Sequence, residues 1–127
     1  MIAIDTNIVV RYLTGDHPEQ SARALVDAGP VFVPVTVLLE AEWVLRRAYQ
    51  LSAPDIARAL RAFGGLPSVT FDDSLMVAEA LDRAERGMDF ADALHFGKAS
   101  GCAGFLTLDQ RFIKAAQREG IEDVREP

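Results

Sequence analysis

The sequence predicts an α/β fold, a mostly parallel sheet covered by helices. Short apolar runs rich in Val, Ile and Phe alternate along the chain with amphipathic stretches of helical length. The runs are continuous rather than polar at every second position, the pattern of strands buried on both faces. At 127 residues, with no repeat, low-complexity tract or long linker, residues 1–127 are expected to form a single domain.

The elements follow in order along the chain. Ile2–Ile4 reads as a short buried strand and Asn7–Leu13 as a helix. Pro18–Ala28 reads as a second helix, with Pro18 suited to a first helical position; His17 falls in the loop before it. Val31–Pro34 (VFVP) is the second strand, and Thr36 is placed to cap the long helix VLLEAEWVLRRAY. Pro54–Phe63 is a further helix, ended by Gly64-Gly65-Leu66-Pro67. Ser68–Phe71 (SVTF) is the third strand, Asp73 caps the helix that runs to Glu85, and Phe90–Ala99 is another helix. Gly104–Leu108 (GFLTL) is the fourth strand, Gln110–Arg118 the last helix, and a short strand around Val124 completes the pattern.

Half of the residues are hydrophobic and a quarter charged, a globular balance. The one cysteine, Cys102, lies in an Ala/Gly-rich stretch and reads as a small buried hydrophobe; it agrees with a reducing compartment. The start lacks a basic segment, and Asp5 and Arg11 interrupt any signal-like apolar core. No run approaches the roughly 20 apolar residues of a membrane span. A cytoplasmic protein with no membrane association is therefore expected. The net charge of −6 argues against broad attraction to nucleic acid. It leaves a nucleic-acid substrate open, because a carboxylate site is partly neutralised once it holds divalent cations.

In parallel sheets, ligands gather outside the carboxyl ends of the strands. Asp5 follows the first strand and Asp109 follows GFLTL; Asp89 and Asp92, in MDFADALHF, open a helix. Singly, Asp5, Asp89 and Asp109 are explained as helix N-caps, with Asp92 favoured by the helix dipole. Asp89 and Asp92 nonetheless share a face, carry like charge and have no Lys or Arg within the next turn. Glu42 has Arg46 four residues on, the spacing of a solvated surface pair. Glu40 has no such neighbour and sits in the apolar VTVLLEAEWVL. A carboxylate on an apolar helix face is costly unless a cation, an Arg from elsewhere or a metal ion, neutralises it. Several unpaired carboxylates where strands end and helices begin suit hard cations such as Mg²⁺, and through them phosphodiester hydrolysis.

Four segments, IDTNIVVRYL, VLLEAEWVLR, DFADALHF and FLTLDQRF, stand in order over nearly the whole chain and resemble the PIN-domain ribonucleases. Within that family they are similar to the VapC-type toxins of bacterial type II toxin–antitoxin pairs. The resemblance implies a three-layer α/β/α domain whose central, mostly parallel sheet has four to five strands. It implies a metal-dependent endoribonuclease using Mg²⁺ or Mn²⁺, as one or two ions held by acidic side chains. Residue by residue, the acids fall on Asp5 of IDTN, Glu40 of VLLEAEW, Asp92 of FADAL and Asp109 of TLD, as metal ligands and catalytic residues together. Asp89 becomes a cap or an outer ligand. The resemblance also implies a homodimer and a cognate antitoxin, a segment of which blocks the acidic groove.

Thr6 and Thr107 flank two of the acids, and their hydroxyls are suited to orient a carboxylate or a metal water. Arg11 and Arg111 are the cations best placed to hold phosphates. His95, one turn past Asp92, reads as a polar rim residue, with a phosphate contact or proton carrier as the sharper alternative. Trp43 follows an apolar run and reads as core or interface rather than a base-stacking platform. The positive mean hydropathy points to surface covered by another subunit or partner.

Rival enzyme classes fail on particular positions. A haloacid-dehalogenase-like phosphatase needs a second Asp two residues after the first, where this chain has Asn7. A response-regulator receiver needs a Lys after a late strand, and FLTLD offers none. A dinucleotide fold needs GxGxxG after the first strand, and DTNIVV has no glycine. The surviving alternative is a non-enzymatic interaction domain whose acids only cap helices.

Overall fold

The computed structural model describes residues 1–15 and 21–127. The expected helix start at Pro18 and the loop at His17 lie outside the described residues. The chain divides into two compact units, Met1–Ser74 and Leu75–Pro127.

The first unit runs β1 (Ile2–Ala3), α1 (Thr6–Thr14), α2 (Ser21–Ala28), β2 (Val31–Val33), α3 (Val35–Arg47), α4 (Ala53–Gly64) and β3 (Val69–Phe71). The strands form a parallel sheet in the order β1-β2-β3, with Ile2 opposite Val31 and Val31 opposite Val69. Val31, Val33, Val69 and Phe71 are buried, but Phe32 between them is half-buried and Thr70 exposed, so β2 and β3 bury one face fully rather than both as expected. β1 departs from expectation. It is an edge strand, Ile2 is 61% exposed, and only Ile4 just beyond it is buried. The Phe63 ring lies tilted against both Tyr12 and Phe71, at centroid distances of 5.1 and 6.0 Å. The last residue of α4, Gly64, has no room for a side chain: a Cβ there would stand 2.6 Å from the Phe71 ring, closer than atoms pack.

The second unit holds α5 (Ser74–Glu85) from its second residue, α6 (Phe90–Lys98), β4 (Phe105–Leu106), α7 (Gln110–Arg118) and β5 (Val124–Arg125). β4 and β5 pair in parallel, Phe105 opposite Val124. Phe112 on α7 meets Phe105 edge-on at 5.3 Å, which ties the helix to the pair. Arg86, after α5, is bonded to Glu119 at the end of α7.

The α/β class and the parallel strands are as expected. Among the described residues, three strands pair in the first unit and two in the second. Each is only two or three residues long, which leaves few backbone groups to extend a ladder.

Four local expectations meet a different setting in the structure. Thr36 lies inside α3, whose N-cap is Pro34; the Val35 N–H donates instead to Asp72 Oδ2 at 3.4 Å, from the end of β3. Asp73 stands immediately before α5, as a cap would, but takes φ +54°, in the left-handed region rather than the extended backbone usual for an N-cap. Cys102 is exposed, because it falls in the turn between α6 and β4. Trp43 is 53% exposed, which excludes the core half of the core-or-interface expectation.

Candidate active site

In the first unit the chain turns from strand to helix at Asp5. Its extended backbone (φ −89°, ψ 169°) ends β1, and its Oδ1 accepts the Thr6 N–H at 2.7 Å, so it is the N-cap of α1. That bond uses one oxygen; Oδ2 accepts no hydrogen bond among the described residues. α1 packs against α3, and a pocket of about 370 Å³ opens between them. Asp5, Thr6, Asn7, Val10, Arg11, Glu40, Val44 and Tyr49 line it. Helical spacing explains the lining: Thr6, Val10 and Arg11 share one face of α1, and Glu40 and Val44 share one face of α3.

Two carboxylates that the sequence singled out, Asp5 and Glu40, thus meet in one pocket. The reason first given for Glu40 does not hold. Glu40 is exposed, and Glu42 is the buried acid, 6% exposed, with its carboxylate bonded to Arg46 Nε at 2.9 Å. The Glu42–Arg46 pair forms as its spacing predicts, but on the apolar face of α3 with Leu38, Ala41 and Leu45. Glu40 faces the pocket and makes no hydrogen bond or ion pair with any described residue. Thr6 is buried, and its Oγ1 has no partner among the described residues. A buried hydroxyl without a partner, in a residue that lines the pocket of Asp5 and Glu40, is unusual and marks this end of α1 as polar. Tyr49 was not anticipated. It lies past the end of α3, where helical periodicity says nothing about direction.

In the second unit Asp89 caps α6, its Oδ1 accepting the Asp92 N–H at 3.2 Å. Asp92 stands in the first turn, half-buried. Burial pushes its carboxyl above the ordinary value, the charges of Asp89 and Asp109 push it further, and His95 opposes them. Asp109 caps α7, with Oδ1 accepting the Arg111 N–H at 2.9 Å and the Phe112 N–H at 3.3 Å. Its own N–H donates to Thr107 Oγ1 at 3.0 Å, so this threonine orients the backbone at the acid. The unit therefore sets Asp92 among like charges, a repulsion that a bound cation relieves. Among the described residues no group of three or more His, Cys, Asp or Glu side chains is gathered closely enough to hold a metal ion outright. The donors are nonetheless all oxygens, the set Mg²⁺ and Mn²⁺ prefer, and in that respect the residues fit such an ion.

Parallel strands, acids at strand ends and carboxylates capping the next helix define a class of α/β protein that binds at the carboxyl edge of its sheet. The PIN-domain family model matches residues 2–118, across both units, and the chain belongs to that family. Its fold class is therefore the α/β/α one expected from the sequence. No curated protein and no solved structure shows significant similarity to the chain. PIN domains are generally metal-dependent nucleases. Among the described residues no helix is long and apolar enough to cross a membrane.

Proposed function

We propose that the chain is a metal-dependent endoribonuclease acting as one nuclease domain, with Asp5, Glu40, Asp92 and Asp109 as its metal-ligating and catalytic acids. The observation that carries this reading is the pocket in which Asp5 and Glu40 meet beside the unsatisfied Thr6 hydroxyl. Family membership and the charge stress on Asp92 from Asp89 and Asp109 support it. A Mg²⁺ or Mn²⁺ ion, one or two in number, supplies Lewis-acid activation of the attacking water and offsets charge growing on the phosphate oxygens. The chain's own groups do the rest. Arg11 lines the pocket with Asp5 and Glu40 and holds a phosphate oxygen there. His95 is exposed beside Asp92 and is placed to carry a proton.

The toxin role, a cognate antitoxin, a homodimer and a cytoplasmic setting belong to the same proposal. What supports them is the resemblance of the four motifs to VapC-type toxins. The capping alternative has an observation in its favour, since Asp5, Asp89 and Asp109 all cap helices. Capping occupies Oδ1 in each, and leaves Asp5 and Asp109 a second oxygen for a cation. RNA cleavage with and without EDTA, beside Mn²⁺ titration by calorimetry on the wild type and Asp5→Asn, decides between the two. The nuclease reading expects binding and cutting in the wild type and neither in the variant. A wild type that binds no metal and cuts nothing, with no antitoxin co-purified, makes the acids caps alone.

A further inference from the structure

α3 has two sharply different faces. Leu38, Ala41, Glu42 and Leu45, spaced i, i+3, i+4, i+7, are buried. Thr36, Glu40, Trp43 and Arg47, spaced i, i+4, i+7, i+11, are exposed and form one stripe on the other face. Glu40 in that stripe lines the pocket with Asp5. Trp43 and Arg47 continue it by about 4.5 and 10.5 Å along the helix axis, from a rise of 1.5 Å per residue. The Arg47 guanidinium lies 5.9 Å from the centre of the Trp43 ring and makes no ion pair with any described residue. The contrast with Arg46, held by the buried Glu42, is direct. A large exposed aromatic and an unpaired cation, side by side in a chain of net charge −6, are matched to a base and its phosphate.

We propose that Trp43 and Arg47 form a subsite that takes an unpaired nucleotide of the RNA beside the Asp5–Glu40 pocket. The base stacks on the indole and the phosphate pairs with the guanidinium. Stacking tolerates any base, so the subsite selects for single-stranded RNA rather than for sequence. This rests on the nuclease reading above and names the strand form that the site accepts.

Trp43 is the only tryptophan in the chain, so its fluorescence reports the subsite directly. The probe is a ten-nucleotide single-stranded RNA of mixed sequence, titrated with Ca²⁺ in place of Mg²⁺ and followed by anisotropy and by indole emission. Saturable quenching with the same Kd as the anisotropy is expected. Trp43→Ala weakens binding about 10-fold, the loss of one base stack, while Trp43→Phe keeps most of the affinity. Arg47→Ala lowers the slope of log Kd against log salt by about 0.7, the single-strand value for one phosphate. Mn²⁺ binding by calorimetry stays at the wild-type level in all three variants. Indole emission unmoved by RNA that the wild type binds and cuts overturns the subsite and leaves the nuclease reading intact. A wild type that neither binds nor cuts RNA overturns both. A shift from dimer to monomer in Trp43→Ala, with RNA affinity unchanged, assigns the stripe to contact between copies and overturns the subsite.

Discussion

Asp5 caps α1 with one oxygen and, in the proposed function, holds a cation with the other, and the choice of substitution separates the two roles. Asparagine is as good an N-cap as aspartate but a poor ligand for a hard cation. Asp5→Asn is therefore expected to unfold at the wild-type urea midpoint while losing at least 10- to 100-fold in cleavage. Asp5→Ala loses the cap as well, at about 1 kcal/mol. Equal cleavage by Asp5→Asn and wild type would remove Asp5 from the site. Asp92 makes a pH-dependent case. Its carboxyl is raised above the ordinary 3.8, mainly by burial and then by Asp89 and Asp109. The folded state thus binds this proton more tightly than the unfolded chain, so stability falls as pH rises from the ordinary value through the raised one. With metal removed, Asp92→Asn should be more stable than wild type above that window, with the advantage vanishing below it. Urea melts in EDTA at pH 7.5 and at pH 3 check the sign; a variant less stable than wild type at pH 7.5 contradicts it.

At the scale of elements, α3 decides most. The sequence marks Glu40 and Glu42 apart by their neighbours, and the Glu42–Arg46 spacing correctly names a pair. It does not reveal that the pair is the buried one. Both acids sit two residues apart in an apolar run, and only the packing of α3 against its neighbours chooses which face turns inward. The consequence is measurable. Arg46→Ala strands the buried Glu42 carboxylate and should cost about 2 kcal/mol, the scale of a charged hydrogen bond lost at a buried acid. Glu40→Gln, on the exposed face, should change stability by less than about 0.5 kcal/mol yet abolish cutting. Chemical denaturation of both, beside cleavage, tests the two faces at once. The α4–β3 contact gives a third case. Gly64→Ala forces a Cβ against Phe71 and should destabilise by about 1–3 kcal/mol through overpacking; an unchanged midpoint there means that the ring has room to move.

For the whole molecule the test is linkage to metal. A cation that binds the folded chain alone raises stability with concentration, by about 2.7 kcal/mol at 100 times its Kd. Thermal melts in Mn²⁺ should rise above those in EDTA for the wild type, and the rise should be absent in Asp5→Asn and Asp92→Asn. Melts that coincide in Mn²⁺ and EDTA for the wild type argue that the acids bind no ion. Because ligation requires ionised carboxylates, and Asp92 is held partly against ionisation, the Mn²⁺ effect should weaken as the pH is lowered toward the raised value of that group.

Much of this was legible in the chain itself. Apolar runs alternating with amphipathic stretches determined the α/β class, and Gln110–Arg118 was placed to the residue because Asp109 before it is a strong cap. Acids at strand ends and helix starts, with Glu40 in its apolar run, marked the candidates, and the resemblance of IDTN, VLLEAEW, FADAL and TLD chose four of them; helix caps are legible because they are set by neighbours along the chain. Tertiary structure alone decided which side of each element meets solvent. It made β1 an edge strand, exposed Trp43 and Cys102, buried Glu42, brought Tyr49 to the pocket and had Asp72 serve α3 from 37 residues away. Local sequence fixes dihedral preferences and periodicity. Exposure depends on which distant segment packs against a face, and no window of neighbours contains that information.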